Sequence, residues 1–385
     1  MSGMRDAVIV GAVRSPVGKR NGGLSGIHPV DLAAKVLTAL AERTGLDTAE
    51  VEDVIFGCVS QTGEQSWNVA RNAMLAAGWP ESVPGTTLDR QCGSSQQAIH
   101  FAAATVISGQ ADLVVAGGVE VMSRVPMGSS AGDRMPYGSA VRERYRGVEG
   151  FGDGQQVPFN QGVGAEIIAR RWGLTRAQLD EYSLASHAKA AAADFSAEIV
   201  PVGEVEADEG IRRDTTLEKL AELPTPFKVD GVVTAGSASQ ISDGAAAVAV
   251  TTSEWARRHG LEPLARLHTC VVVGDDPVVM LTGPIPATAK ALARAGLSID
   301  DIGVFEVNEA FAPVPLAWLK ETGADPARLN PRGGAIALGH PLGATGARLM
   351  TSMLHHQREH GIRYGLQAVC EGGGMANATI LELLA

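Results

Sequence analysis

Residues 85–120, GTTLDRQCGSSQQAIHFAAATVISGQADLVVAGGVE, contain the pattern that decides the fold class. A strand-like start leads into a sharp turn at Cys92 and Gly93, and a run of small residues with helical character follows. A short apolar strand then ends at Gly117 and Gly118. Strands that alternate with helices predict a layered α/β fold with largely parallel strands.

The alternation extends toward the start of the chain. An apolar run from Ala7 to Ala12 predicts a buried strand. The segment that follows has helical periodicity, with Asp31 as its expected cap and Gly45 as its end. The run VEDVIFGCVS, which contains Cys58, predicts a second strand.

The end of the chain repeats this order after a long interruption between about residues 119 and 240. Cys92 stands before a helix of small residues, and a strand that ends in two glycines comes next. His340 likewise stands before a helix, and the following strand ends in three glycines. This repetition predicts two related α/β units joined by an insertion. An insertion of this length is more often functional than structureless.

Size and charge exclude several classes of protein. A chain of 385 residues exceeds what one hydrophobic core usually supports, so we expect more than one packed unit. The net charge of −11 and the pI of about 5.3 argue against binding to nucleic acid. The four cysteines form no C-x-x-C pair, which argues against a metal site or a redox motif. No apolar run approaches the roughly 18 residues of a membrane span, and we expect a reduced, cytoplasmic, soluble protein.

Two residues at the starts of helices are candidates for catalysis. Cys92 precedes a helix, where free N–H groups and the helix dipole would stabilise a thiolate. The alternative is a buried structural cysteine, because free cysteine is among the most buried residue types. His340 has a pKa near neutrality in its ordinary state and could activate a thiol. The alternative for His340 is a histidine in a surface loop.

A third candidate lies in the stretch QAVCEGGGMANATI, residues 367–380. Cys370 is either a core residue beside a turn or a thiol presented by a glycine loop, in which the N–H group of Gly372 can face a ligand. Asn308, at the end of a predicted strand, could hold a water or polarise an oxygen, or it could cap a turn. Two thiols, one imidazole and one amide suit carbon–carbon bond chemistry on thioesters.

Taken together and in order, DRQCGSSQQA, VNEAF, GHPLGATG and CEGGG resemble the thiolase family. RSPVG, AGGVEVMS and ASQISDGAAA resemble further segments of that family, so the likeness covers essentially the whole chain. The resemblance implies the five-layered αβαβα fold, with two similar halves and an inserted loop domain. The corresponding divisions are 1–118 with 240–262, 119–239, and 263–385. A homodimer or homotetramer is also implied.

The resemblance also implies roles for the candidate residues. Cys92 would be the nucleophile that becomes acylated, His340 the base that takes its proton, and Cys370 the acid and base for the acetyl-CoA enolate. His340 and a water held by Asn308 would bind one oxyanion, and the N–H groups of Cys92 and Gly372 would bind the other. Coenzyme A would be a substrate, and no prosthetic group is implied. For Cys58 and Cys270 we expect core packing.

The coenzyme A site is expected in the inserted domain and just after it. Arg212, Arg213 and Lys219 are candidate partners of its phosphates, although a solvated run of charge is nearly as probable. Leu223 and Phe227 are candidates for packing on adenine or pantetheine, and Ser239 matches a family serine beside the pantetheine. Thiolases specific for acetoacetyl-CoA carry a His-Met pair where this chain has Asn160 and Gln161. The difference favours a bulkier acyl pocket, similar to that of actinobacterial steroid side-chain thiolases.

Four functions are compatible with these residues. The first is thiolytic cleavage of 3-ketoacyl-CoA, and the second is synthesis of acetoacetyl-CoA from two acetyl-CoA. Both use the same residues, and thermodynamics favours cleavage. The third is a scaffold without catalysis, which the intact set Cys92, His340 and Cys370 disfavours. The fourth is a decarboxylating ketosynthase, which would normally have a second histidine region in place of CEGGG.

Overall fold

The computed structural model describes residues 5–132, 134–152 and 158–384. Within these ranges the strands are β1 (Val8–Arg14), β2 (Gly18–Lys19), β3 (Asp53–Gly57), β4 (Gly85–Leu88), β5 (Leu113–Val121), β6 (Ser242–Thr251), β7 (Ala265–Gly274), β8 (Val304–Val307), β9 (Tyr364–Glu371) and β10 (Met375–Leu383). The α-helices of the same ranges are α1 (Pro29–Thr44), α2 (Val69–Ala76), α3 (Ser94–Ser108), α4 (Ser139–Arg144), α5 (Gln161–Arg171), α6 (Arg176–Ala192), α7 (Leu217–Ala221), α8 (Ser253–Arg258), α9 (Pro284–Ala295), α10 (Pro313–Thr322), α11 (Ala335–Leu338) and α12 (Thr345–His360).

The strands form one continuous hydrogen-bonded path in the order β4-β3-β5-β6-β1-β7-β10-β9-β8. The junction between β1 and β7 is short, because it pairs only Val8 with Arg266 and Ile9 with Ala265. It separates an N-terminal sheet from a C-terminal sheet. Apart from β2 and the edge strand β4, the N-terminal sheet has the order β3-β5-β6-β1, which matches the order β8-β9-β10-β7 of the C-terminal sheet. This is the duplication expected from the sequence.

The two faces of each sheet pack against different layers of helices. One face of the N-terminal sheet packs on α1 and α2, and the other packs on α3 and α12. The C-terminal sheet packs on α3 and α12 from the opposite side and covers its outer face with α9 and α10. This gives the five layers αβαβα. Helix α3 can occupy the central layer because it is buried over most of its circumference.

The prediction of largely parallel strands is wrong. Only the pairs β3–β4, β3–β5 and β8–β9 are parallel, and the other strand pairs among the described residues are antiparallel. The physical reason is visible in the C-terminal half, where β10 follows β9 through a tight glycine turn. A turn of that length returns the chain in the opposite direction.

The ends of α1 show which local predictions depend on context. Gly45 ends the helix in the left-handed region, with a φ of 70°, as expected. The predicted cap, Asp31, is wrong, because the N-cap is His28, whose Nδ1 accepts the Val30 N–H at 3.2 Å. Pro29 at the first helical position has no N–H to satisfy, and Asp31 lies in the first turn, where its charge suits the dipole.

The segment between β5 and β6 contains α4, α5, α6 and α7. Strand β5 continues through the predicted boundary at residue 118 and ends at Val121. The other bounds of the three domains stay a prediction. Helix α6 begins with a reciprocal cap, in which the side chains of Thr175 and Gln178 each accept the other's backbone N–H.

Candidate active site

The loop between β4 and α3 presents Cys92. The Cys92 side chain is buried, and Gln91 before it adopts a left-handed φ of 48°. A Cβ on Gly93 would lie 2.7 Å from Cδ of Glu371, so a larger residue there would require the Glu371 side chain to shift. The loop is thus held between the start of α3 and the end of β9.

The Cys92 thiol is not a resting thiolate. Burial, followed by the nearby Glu371 carboxyl, raises its pKa to about 12. The N–H groups of Cys92 and Gly372 favour the ionised form, but they do not outweigh burial. The expectation that the helix start by itself stabilises a thiolate is therefore wrong. Cys92 needs a base to become a nucleophile.

His340 lies in the loop between α11 and α12, and its hydrogen bonds fix its tautomer. Thr345 Oγ1 donates to the Pro341 carbonyl at 2.8 Å, so it accepts from His340 Nδ1–H at 2.6 Å. Nε2 then carries the free lone pair. Burial, followed by the charge of Arg348, lowers the pKa of His340 to about 3, so the ring is neutral at physiological pH.

Asn308 follows β8 and lies beside the imidazole. Its backbone N–H donates to the Ala368 carbonyl on β9 at 2.9 Å, which continues the pairing of the two strands. Its Nδ2 lies 3.4 Å from His340 Nε2. Its Oδ1 is buried and has no hydrogen-bond partner among the described residues. A buried acceptor without a partner suits a bound water or a polar group of a ligand.

Cys370 lies near the end of β9 and is fully buried. Burial raises the pKa of its thiol well above the ordinary value, and the proximity of Cys92 raises it further. The two thiols therefore share one site. The turn after β9 requires glycine at Gly373 and Gly374, whose φ angles are 85° and 73°. At Gly374 a Cβ would also lie 2.7 Å from the Asp276 carbonyl oxygen.

Close glycine contacts join the two halves at this site. A Cβ on Gly343 would lie 2.7 Å from the Cα of Cys58, and one on Gly346 would lie 2.9 Å from the Cα of Gln96 on α3. The Ala347 N–H donates to Ser95 Oγ at 2.9 Å. Through these contacts, the chain just after His340 packs against α3, the helix that begins after Cys92.

Sequence reasoning missed three residues of this site. Thr345 orients His340 through a hydrogen bond, and Glu371 raises the pKa of both thiols. Glu120 accepts the N–H groups of Val59 at 2.8 Å and Gly343 at 2.9 Å. Thr345 and Glu371 stand inside quoted motifs, five residues after His340 and one after Cys370. Glu120 stands inside the quoted segment AGGVEVMS, but its contacts could not be foreseen, because its partners come from both halves.

The three predicted phosphate partners differ in their contacts. Arg213 Nη1 donates to the Ala191 carbonyl at 2.9 Å, and Lys219 Nζ pairs with Asp214 at 2.9 Å. The Arg212 guanidinium has no hydrogen bond or ion pair within the described part of the chain. Arg212 is therefore the most available of the three for an anion.

The other three predicted coenzyme A residues converge on the segment before β6. A Cβ on Gly236 would lie 2.7 Å from Leu223 Cδ1. The Ser239 N–H donates to the Ala310 carbonyl at 2.9 Å. Phe227 packs edge-to-face on Phe311 with centroids 5.7 Å apart. Ser239 and Phe227 thus meet residues that follow Asn308 closely in sequence.

The Asn160 side chain caps the start of helix α5. It accepts the Val163 N–H at 3.1 Å. Phe227 and Val163 also border a small cavity of about 100 Å³. The Asn160 side chain is thus committed at least in part to the end of a helix.

Possible metal ligands occur at the far end of α12. Donor atoms of His356, Glu359 and His360 lie within 4.8 Å of one another. Arg332 already pairs with Glu359 at 3.0 Å, which opposes binding of a cation there. Among the described residues, no helix has the length and apolar character needed to cross a bilayer.

Comparisons with known proteins agree with this arrangement. Residues 7–254 match the model of the thiolase N-terminal domain, and residues 261–383 match that of the thiolase C-terminal domain. The chain is 52% identical over 391 residues to the steroid 3-ketoacyl-CoA thiolase FadA6 of Mycobacterium tuberculosis, covering 99% of this chain and 95% of the relative. It is 43% identical over 399 residues to a beta-ketoadipyl-CoA thiolase of Escherichia coli, covering 98% and 100%. The crystal structure of the Bacillus anthracis acetyl-CoA acetyltransferase aligns with a TM-score of 0.89 and 39% identity over 99% of both chains.

Proposed function

Because the chain belongs to the thiolase family, we propose that it cleaves 3-ketoacyl-CoA with coenzyme A to give acyl-CoA and acetyl-CoA. The observation that carries the proposal is the convergence of two buried thiols, one neutral imidazole and one amide with a free oxygen. Thiolysis needs a nucleophile, its base, a second acid and oxyanion donors, and these groups supply all four.

The first half-reaction transfers the acyl group to Cys92. His340 Nε2 takes the thiol proton, and Sγ attacks C3 of the substrate. The C2–C3 bond breaks, and its electron pair leaves as the acetyl-CoA enolate. Cys370 donates its proton to C2 of that enolate. In the second half-reaction, the Cys370 thiolate takes the thiol proton of coenzyme A, whose sulfur attacks the acyl group. The bond to Cys92 Sγ breaks, and Cys92 takes its proton back from His340.

Two oxyanions form during this sequence and need separate donors. The N–H groups of Cys92 and Gly372 face the Cys92 sulfur, where the tetrahedral oxyanion on C3 would form. The thioester oxygen of the enolate would bind protonated His340 and a water held by Asn308 Oδ1. His340 becomes a donor only after it receives the Cys92 proton, so its stabilising charge arises with the oxyanion.

Coenzyme A would lie along the segment that contains Leu223, Phe227 and Ser239. Arg212 is the strongest candidate for a phosphate partner, since its guanidinium is uncommitted. Arg213 and Lys219 would contribute through their charge while keeping their present partners. No prosthetic group takes part in the proposed chemistry.

A bulky 3-ketoacyl group is the substrate class that we propose. The relative at 52% identity is named a steroid 3-ketoacyl-CoA thiolase. The position where thiolases specific for acetoacetyl-CoA have histidine holds Asn160, which caps α5. Synthesis of acetoacetyl-CoA is the second candidate, because the solved structure of similar fold is named an acetyl-CoA acetyltransferase.

We also propose that the protein is a cytoplasmic homo-oligomer. Among the described strands, β4 pairs only with β3, so its other edge is open within this part of the chain. Trp67 stands before α2 with 92% of its surface exposed. An open strand edge and an exposed tryptophan just before the helix that packs against β4 suit an interface between copies.

Two alanine variants and two substrates test the proposal. Cys92→Ala should abolish the acyl-enzyme, as followed by mass spectrometry of the intact protein. Cys370→Ala should still become acylated by an acyl-CoA but neither cleave nor form the C2–C3 bond. Turnover by Cys92→Ala would refute the nucleophile. Comparing kcat/KM for acetoacetyl-CoA and a bulky 3-ketoacyl-CoA then decides the substrate class, and a strong preference for acetoacetyl-CoA would refute the bulky pocket.

A further inference from the structure

The Gln240 side chain lies where three segments of the chain meet. Gln240 comes just before β6, and its Nε2 donates to the Gly210 carbonyl at 2.9 Å, in the segment between β5 and β6. The same nitrogen donates to the carbonyls of Ile336 at 2.8 Å and Ala337 at 3.1 Å on α11. One amide group thus joins the inserted segment to the helix that precedes the catalytic base.

The end of α11 needs such a donor. The last carbonyls of a helix have no partner within the helix, and α11 has only four residues. The Gly339 N–H donates to the Ala335 carbonyl at 3.0 Å, and the next two carbonyls accept from Gln240. Ile336 and Ala337 are buried, and a buried carbonyl without a hydrogen bond is costly. Gln240 therefore fixes the point at which the chain leaves α11.

The main chain of Gln240 holds the next part of this loop. Its carbonyl accepts the His340 N–H at 3.2 Å and the Ser242 hydroxyl at 2.9 Å. The His340 N–H is shared with Ser242 Oγ, which also lies 3.2 Å away. Gln240 thus contacts the His340 loop twice, through its side chain at α11 and through its carbonyl at His340.

Residues 210–212 are held against the same helix from the other side. The Arg212 N–H donates to Nδ1 of His187, a buried residue of α6, at 3.1 Å. Ile211 packs against an apolar cluster to which α11 contributes two residues. Together with the bond from Gln240, these contacts tie the position of Arg212 to that of α11.

We propose that Gln240 is a positioning residue that couples the coenzyme A contact of Arg212 to the placement of His340. The inference rests on the proposed thiolase function and deepens it. Coenzyme A bound at Arg212 would hold residues 210–212, and Gln240 would pass this restraint to α11 and the His340 loop. Binding energy from a part of the substrate that does not react would thereby support the position of the catalytic base.

Removing the amide while keeping the length of the side chain tests the coupling. Gln240→Met deprives three carbonyls of their shared donor and should affect both sides of the contact. We expect the Kd for coenzyme A, from calorimetry, to rise about tenfold, the scale of one buried acceptor left unpaired. Alkylation of Cys92 by iodoacetamide, followed by mass spectrometry, should slow by about the same factor. This second readout needs His340 to take the thiol proton as the sulfur displaces iodide, but it needs no coenzyme A.

Gln357 provides a matched control on α12. It is buried, and its Nε2 also donates to three carbonyls, those of Ile362 at 3.2 Å, Arg363 at 3.2 Å and Leu381 at 3.3 Å. None of these residues belongs to the proposed site. Gln357→Met should lower the melting temperature, as Gln240→Met does, but it should change neither readout.

Gly210→Ala disturbs the same contact from the opposite segment. A Cβ on Gly210 would lie 2.7 Å from the Ala337 carbonyl oxygen and 3.1 Å from Gln240 Nε2. This variant should weaken coenzyme A binding and slow Cys92 alkylation together. It decides the question if Gln240→Met does not fold.

Joint changes in both readouts support the coupling. A change in only one readout would overturn it, as would a folded Gln240→Met that behaves like Gln357→Met, or a wild-type protein without affinity for coenzyme A. The proposed function fails separately, through the absence of thiolysis by a wild-type protein that binds coenzyme A. The two failures are distinguishable, because neither readout depends on turnover.

Discussion

Replacing Gly346 by alanine should separate the two catalytic halves without touching a catalytic residue. Gly346 lies in the first turn of α12, against the backbone of α3. A Cβ there would lie 2.6 Å from the Cβ of Gln96 and 2.9 Å from its Cα. Neither helix can yield locally, because both are buried between the two sheets.

The size of the effect follows from these distances. The contact with the Gln96 Cβ falls about 0.8 Å short of the 3.4 Å at which ordinary contact begins, and the Gln96 backbone N is closer still, so α12 must retreat by at least that amount. Overpacking of this kind costs about 1–3 kcal/mol of stability. A misplacement of about 1 Å between reacting groups costs roughly 10²-fold in rate. Because His340 is tied to α12 through Thr345, it would move away from Cys92 with the helix.

A matched control sits at the other end of the same helix. Gly361 ends α12 with a φ of 62° and has no neighbouring atom within 4 Å of a Cβ position. Gly361→Ala should therefore cost about 1–2 kcal/mol through backbone strain alone. Denaturant unfolding and the thiolysis kcat should show similar stability losses in both variants, with a rate loss only in Gly346→Ala. A wild-type kcat in Gly346→Ala would refute the reasoning.

Three further predictions address single interactions. Thr345→Val should lower the acylation rate of Cys92 10- to 100-fold with little change in KM, since an unpaired buried donor costs about 1–3 kcal/mol, and Thr345→Ser should restore the rate. Burial raises the pKa of Glu371 to about 8, above its ordinary 4.5, so the folded chain keeps a proton that the unfolded chain loses and stability falls as pH rises between these values. Glu371→Gln should therefore melt higher than wild type at pH 9 but not at pH 4.5, and equal melting temperatures at both pH values would contradict this. Arg212→Ala should raise KM for coenzyme A roughly tenfold with kcat retained, whereas Arg213→Ala should have a smaller effect, and the reverse order would exclude Arg212 as the main phosphate partner.

Several features of this protein are determined by the sequence on its own. Alternating patterns predicted the strands and helices of each half, and Gly45 marked a helix end correctly, because these signals depend on neighbours along the chain. The ordered motifs around Cys92, Asn308, His340 and Cys370 predicted the thiolase family and its five-layered fold, and both predictions are confirmed. The roles of these residues in catalysis stay predictions.

The tertiary structure decided everything that depends on contacts between distant segments. Strand direction was one such property. The short turn between β9 and β10 makes these two strands antiparallel, and β10 also pairs antiparallel with β7. The ionisation of Cys92 was another, because burial by the opposite half outweighs the local helix start. The proximity of Glu306 and Arg348 was a third. Their sequence positions lie 42 residues apart, and only the packing of α12 on the sheet brings these two buried side chains near each other.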